Sequence, residues 1–475
     1  MTITRSTILL LLILLSCVPV HASEIIDTID PLLKAGEFEK AQEKIDQYLA
    51  EDPKSVDAYM MLGNLKFYEY MSSVPQIELA SNTDESVFVT GIGSIREAIV
   101  TVPGEVGAEV AGHLEKALSL DSTRGDIHKG LAYVLAMAMM KDELVSHFRR
   151  MKKSLPDDEG LPYDMSSYAG MLKDRGRPDW SQEVYGKILS LYPGNAGVLS
   201  DSARIYFENG QTVKAAATVS RTLNGNDVNA KILSSGMLIL VVAGDYSGGL
   251  AAAKLMSQHQ GNSVYLVYRG LMKYAQGKQE WRKDLESFME SDTTGQEQAL
   301  VAHLLNSDYT GSLDDFVKSD QVAESIWSRL LLYRAAMLRL PKEATSYLNY
   351  AIIMSAYKNY PEALPAFARA QELYGTLTDD LKEAFNLFYG WTLQDSGRTG
   401  DANRRWEMLR GVDTFYAASA AAWFLGRNLY ESGKRDEAFE MFLTISDRAS
   451  ESKYATYGRN AVNAINAGRE PAFVK

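Results

Sequence analysis

The sequence is poor in the residues from which cofactor and metal sites are built. One cysteine, Cys17, stands in 475 residues, and it lies within the apolar N-terminal stretch. Disulfide frameworks and thiolate metal sites are therefore excluded from the rest of the chain. The six histidines never fall at i, i+3 or i+4, so the zinc-hydrolase spacing is absent. Positive charge is also scarce: 49 Lys and Arg stand against 61 Asp and Glu, a net charge of −12 with no basic cluster. That balance opposes binding to nucleic-acid phosphates and to acidic membrane surfaces. Beyond the N-terminal stretch the longest apolar run is Leu131 to Met140, ten residues. As a helix it would reach ~15 Å, against a hydrocarbon core of ~30 Å, so no transmembrane helix is expected in the mature chain.

Catalytic signatures are missing as well. Gly186-Lys187, Gly277-Lys278 and Gly433-Lys434 are followed by Ile188, Gln279 and Arg435, where a phosphate loop needs Ser or Thr. Gly91-Ile92-Gly93 lacks the third glycine of a dinucleotide fingerprint. The carboxylate pairs Asp157-Asp158, Asp314-Asp315 and Asp379-Asp380 sit at expected helix starts, where negative charge favours the helix N-terminus. His113, His128 and His147 are the histidines the fold is best able to bring together. The expectation is a protein without catalytic residues, cofactor or metal, and not an enzyme.

The first 22 residues have the layout of a secretory signal. Arg5 supplies the positive end, Ile8 to Leu15 the apolar segment, Pro19 a break, and Val20-His21-Ala22 a cleavage site before Ser23. Leu14-Leu15-Ser16-Cys17 also resembles a bacterial lipobox, which would make Cys17 the lipidated first residue. Both readings lead to an exported protein of the periplasm, either soluble or lipid-anchored to the outer membrane.

What the sequence does contain is a recurring helix pair. After Leu33 and Gly36, Ala41, Ile45 and Tyr48 line one face of the next helix, and Pro53 stops it. Further on, Tyr168-Ala169, Leu172, Gly176, Ser181, Tyr185, Ile188 and Pro193 repeat the pattern. Ser202-Ala203, Tyr206, Gly210 and Ala215 continue it, and Gly236, Leu240, Gly244 and Ala253 follow in phase. Near the end Tyr389-Gly390, Leu393, Gly397, Ala402 and Trp406 make one unit, and Leu425-Gly426, Leu429, Gly433, Ala438 and Phe442 the next.

This pattern resembles the tetratricopeptide repeat, two antiparallel helices with small residues where they cross. The resemblance implies an all-α fold, a superhelix of stacked antiparallel helix pairs with one long insert. The expected organisation is a signal at 1–22, an N-terminal array at 23–277 interrupted by an insert at 71–108, an irregular helical connector at 278–340, a C-terminal array at 341–450, and a capping helix and tail at 451–475. The insert is apolar at Ile92, Ile95, Ile99, Val100 and Val102, which points to docking on the array.

In such arrays the first helix of each pair lines the concave side. The repeat phase puts Tyr163, Phe207, Tyr265, Tyr268, Trp391, Trp423, Arg427 and Tyr430 there, with Met272 and Leu387. Rings of Tyr and Trp bury large area at low entropy cost, which suits a binding wall. The resemblance thus implies a non-catalytic scaffold for a protein or peptide partner in the bacterial cell envelope, serving assembly, secretion or transport. The alternative is a small-ligand-binding periplasmic accessory, with its pocket between insert and groove.

Overall fold

The computed structural model describes residues 24–73, 102–223, 228–260, 262–291, 297–306, 313–410, 415–448 and 453–469, together with 471 and 473. The expected signal, Cys17 and most of the insert, with Gly91 to Gly93 and Ile92 to Val100, lie outside the described residues. The chain forms two compact units, 24–73 with 102–202, and 203 onward. The division lies at 202/203, earlier than the break expected at 277.

In the first unit the helices are α1 (Glu24–Ala35), α2 (Phe38–Glu51), α3 (Val56–Ser73), α4 (Gly104–Leu120), α5 (Gly125–Met137), α6 (Lys141–Ser154), α7 (Leu161–Asp174) and α8 (Pro178–Leu191), followed by the start of α9 (Ala196–Glu208). They pack as the antiparallel pairs α1/α2, α3/α4, α5/α6 and α7/α8. Just before α4 Val102 is buried, and its N–H donates to the Met137 carbonyl at 3.1 Å.

One device reverses the chain inside these pairs. Gly176 sits at φ 81°, in the left-handed region, and the N–H of Arg177 returns to the Leu172 carbonyl at 3.0 Å. This closes the orphan carbonyls of α7 in a Schellman motif, and glycine takes the conformation without a Cβ penalty. The same bond recurs after Gly36, Gly210, Gly244, Gly277, Gly397 and Gly433. Met139 and Lys358 occupy the equivalent place at φ 58° with a full side chain.

A second regularity governs the crossing of the two helices. A Cβ on Gly63 would lie 3.1 Å from Leu114, on Gly270 2.4 Å from Leu285, on Gly390 2.7 Å from Trp406, and on Gly426 2.6 Å from Phe442. The absent side chains let the backbones approach, so a large residue on the second helix fills the space at native density.

The second unit holds the rest of α9 and then α10 (Thr212–Thr222), α11 (Ala230–Ala243), α12 (Tyr246–Gln260), α13 (Asn262–Ala275), α14 (Trp281–Ser291), α15 (Gln298–Asn306), α16 (Leu313–Val322) and α17 (Ile326–Arg339). The pairs α11/α12 and α13/α14 follow the rule. Residues 278–340, expected to be an irregular connector, thus carry α14 to α17.

Helix α17 departs from the solenoid pattern, because it packs on α11 and α13, the first helices of two successive pairs. Trp327 Nε1 donates to the Ser234 carbonyl at 3.1 Å, and its ring meets Tyr268 edge-on at 5.7 Å between centroids. Arg334 donates to the Val242 carbonyl, and Arg339 to the Tyr274 carbonyl at 3.2 Å. Those carbonyls belong to the last turns of α11 and α13, where unpaired oxygens and the negative dipole end attract cations. The carboxylate of Glu297, itself buried, accepts the N–H groups of Ser325 at 2.7 Å and Glu324 at 3.0 Å just before α17.

The remaining helices are α18 (Ala344–Ala356), α19 (Tyr360–Glu372), α20 (Asp379–Asp395), α21 (Thr399–Leu409), α22 (Phe415–Glu431), α23 (Arg435–Arg448) and α24 (Lys453–Asn466). They pair as α18/α19, α20/α21 and α22/α23, with α24 covering α22 and α23. Stacked rings hold this part, among them Phe367 on Tyr389 at 4.8 Å and Trp406 on Phe424 at 4.9 Å. A fully buried ring of this kind contributes ~1.5–3 kcal/mol by leaving water. Pro361, in the first turn of α19, packs on the Gly210 turn, where a Cβ would lie 2.4 Å from it.

Candidate functional site

In the first unit the first helices α3, α5 and α7 are joined by charge. Arg124, at the start of α5, donates to Asp57 of α3 at 2.6 Å and to Asp126 at 2.7 Å. Asp126, ahead of burial and Asp57, holds this guanidinium more firmly protonated than usual. Lys129 of α5 reaches Asp158 at 3.0 Å and Asp164 of α7 at 2.9 Å. Burial pulls Lys129 down, but Asp164 and Asp158 outweigh it and its pKa is raised. One turn further along, Tyr133 meets Phe67 edge-on at 6.1 Å. Tyr163 projects from the start of α7 with 48% of its surface exposed.

The same unit brings two of the expected histidines together. His128 Nδ1 lies 3.4 Å from His147 Nε2, and Nε2 of His147 lies 2.9 Å from the His128 carbonyl. Burial pushes His147 down to about 4 and also lowers His128. His113 stands apart on α4, likewise lowered by burial. Among the described residues no group of three or more His, Cys, Asp or Glu could hold a metal ion.

In the second unit the structure redistributes the expected wall. Phe207 and Tyr268 are each 2% exposed, and Met272 is fully buried. Tyr268 is covered by α17, whose Trp327 meets its ring edge-on. Tyr265 is half-buried, with the Arg269 guanidinium 5.2 Å from its ring centre. Trp423 is 3% exposed, enclosed by Phe442 at 5.4 Å, Tyr457 of α24 at 5.2 Å and Phe473 at 5.8 Å. It is a core residue because the capping helix lies over it. Arg427 pairs with Glu431 at 2.8 Å, one turn on, and Tyr430 meets Phe473 at 5.4 Å. Leu387 is also buried.

Trp391, like Tyr265 and Tyr430, keeps a partly open ring. It forms an edge-on cluster with Phe388 at 5.3 Å and Tyr416 at 6.4 Å, and Tyr416 is 42% exposed. Phe388 was legible as the i−3 neighbour of Trp391, but Tyr416 belongs to the next pair and has no local signal. Phe473 follows the last helix and so falls outside any repeat phase.

Comparison with known proteins bears on the fold. The tetratricopeptide-repeat family profile matches residues 29–65. No curated protein matches the chain. Among solved structures, Pseudomonas aeruginosa PilF is similar at 16% identity over 52% of this chain and 93% of that one, with a TM-score of 0.26. Yeast Tom70 is similar at 13% identity over 94% and 95%, with a TM-score of 0.28. A repeat protein from Parabacteroides merdae aligns at 13% identity over 59% and 96%, with a TM-score of 0.26.

Proposed function

We propose that this chain, which belongs to the tetratricopeptide-repeat family, is an exported, non-catalytic scaffold that binds a protein or peptide partner in the cell envelope. The repeat fold supports a role in protein–protein interaction, and the layout of residues 1–22 supports export. The observation that carries the reading is the row on α3, α5 and α7. There Asp57–Arg124 and Lys129–Asp164 fix successive first helices side by side, and Tyr163 projects beside them. An aromatic held on a rigid, charge-lined face is what a polypeptide uses as an anchor. No chemistry of bond making is assigned to the protein.

The test is crosslinking in intact cells followed by recovery of the tagged full chain. A polypeptide should be recovered with the unaltered chain and lost at least tenfold with Tyr163→Ala, whose helix content should not change. Equal recovery with Tyr163→Ala would remove the first unit from the binding surface. Recovery of no saturable partner at all would overturn the scaffold reading.

A further inference from the structure

The segment after α24 is held in a way that differs from the rest of the fold. Phe473 sits in a pocket of rings: Tyr430 at 5.4 Å and Trp423 at 5.8 Å, both edge-on, and Phe442 at 6.0 Å, tilted. The walls come from both helices of the pair α22/α23, and Tyr457 of α24 closes the far side of Trp423. On the rim Arg435 lies 5.2 Å from the Tyr430 ring centre, and Arg427 stands one turn before Tyr430 with 12% of its side chain exposed. Pro471, two residues before the half-buried Phe473, is buried. No backbone hydrogen bond ties 471 or 473 to the fold among the described residues, the last being that of Arg469 to Ala464. The described part of the segment is thus attached by one proline and one ring set into an aromatic slot.

We propose that this slot is a peptide-binding site for a segment carrying Phe two residues after Pro, occupied here in cis by the chain's own Pro471 and Phe473. The walls decide the chemistry. Two edge-on rings and one tilted ring accept a flat aromatic side chain, in the arrangement aromatic pairs prefer. A partner bearing the same pattern competes with the chain's own segment. Because that segment is tethered by only a few residues to α24, its effective concentration is on the order of millimolar. A trans ligand therefore meets a partly closed site whose opening sets the apparent affinity. This deepens the scaffold reading and rests on it for a cellular partner, but the slot is testable without one.

The probe is a synthetic peptide of residues 466–475, added to the full chain and to Phe473→Ala, with tryptophan emission and calorimetry as readouts. Phe473→Ala should bind it saturably and at least tenfold more tightly than the unaltered chain, and Phe473→Ala combined with Tyr430→Ala should lose that binding. In the unaltered chain, millimolar peptide should release the native segment and speed tryptic cleavage after Arg469 at least tenfold. That readout holds even if Phe473→Ala folds poorly. Absence of saturable binding to a folded Phe473→Ala chain, retention of binding in the double variant, or cleavage indifferent to peptide would each make Phe473 ordinary packing. Failure to recover a cellular partner would count against the scaffold reading alone.

Discussion

His128 and His147, nineteen residues apart in the chain, share one buried hydrogen-bond chain that only their neutral forms complete. Nε2 of His147 donates to the His128 carbonyl, which leaves its Nδ1 to accept from Arg150 at 3.0 Å. Nε2 of His128 donates to the Ser122 carbonyl at 3.0 Å, and its Nδ1 lone pair faces His147. These tautomers follow from the acceptors present. A further proton on either ring would point a donor at a donor, with Arg150 adding its charge. Glu115, bound to Arg150 and held below the usual carboxylate range chiefly by that bond, offsets the charge of Arg150 but does not reach the rings.

Stability of the first unit should therefore fall as pH drops from about 6.5 toward 4. In the unfolded chain His147 takes up its proton near 6.5, and in the fold only near 4. The stabilisation is complete above the unfolded value and is lost through that window, by about 3 kcal/mol for this group. His128 is shifted in the same direction. Urea unfolding at pH 7, 5.5 and 4 measures the loss, and a histidine resonance titrating at 6.5 in the folded protein would contradict it.

Gly390→Ala should destabilise the second unit by about 1–3 kcal/mol, because its Cβ would fall 2.7 Å from the fully buried Trp406 ring. A lower melting temperature with unchanged native helix content is the expected result. Gly400→Ala, where nothing lies within 4 Å, is the matched control.

Removal of the Glu297 carboxylate should loosen α17 before it loosens the rest. The carboxylate satisfies two N–H groups at that helix entrance, so Glu297→Ala should cost about 2–3 kcal/mol. Amide hydrogen exchange over residues 324–329 should accelerate more than over α20. Uniform acceleration would show instead that α17 does not open separately.

Trp423→Ala should cost about 3–5 kcal/mol of stability, as expected of a ring at 3% exposure among Phe442, Tyr457 and Phe473. Tyr163→Ala, which removes a ring 48% exposed, should shift the melting temperature little. Equal destabilisation by the two would mean that burial does not separate core from surface here.

Sequence periodicity was informative wherever a contact is local. The Gly176, Gly397 and Gly433 turns and the Gly390 and Gly426 crossings were readable because each depends on residues within one helix pair. The repeat phase identified Tyr268 and Trp423 as large aromatic positions on first helices. What covers them was not readable. Trp327 reaches Ser234 across 93 positions, and Thr212 lies 3.4 Å from Glu362 across 150. No repeat phase encodes such pairings, because α17 obeys the same local rules as a helix that stacks in line. Tyr163, by contrast, stays 48% exposed at the first turn of α7, although its ring lies against Gly197 of α9.

The seating of α17 also orders events during synthesis. Helices α11 and α13 are complete by Ala275, yet Arg339, which closes on Tyr274, emerges roughly 65 residues later. At about 5–20 residues per second this leaves the side of Tyr268 that Trp327 covers facing water for several seconds. A ribosome paused between 280 and 325 would hold out an apolar trough that chaperones recognise. Slow codons in that stretch should therefore lower the yield of folded chain more than the same codons placed after residue 345.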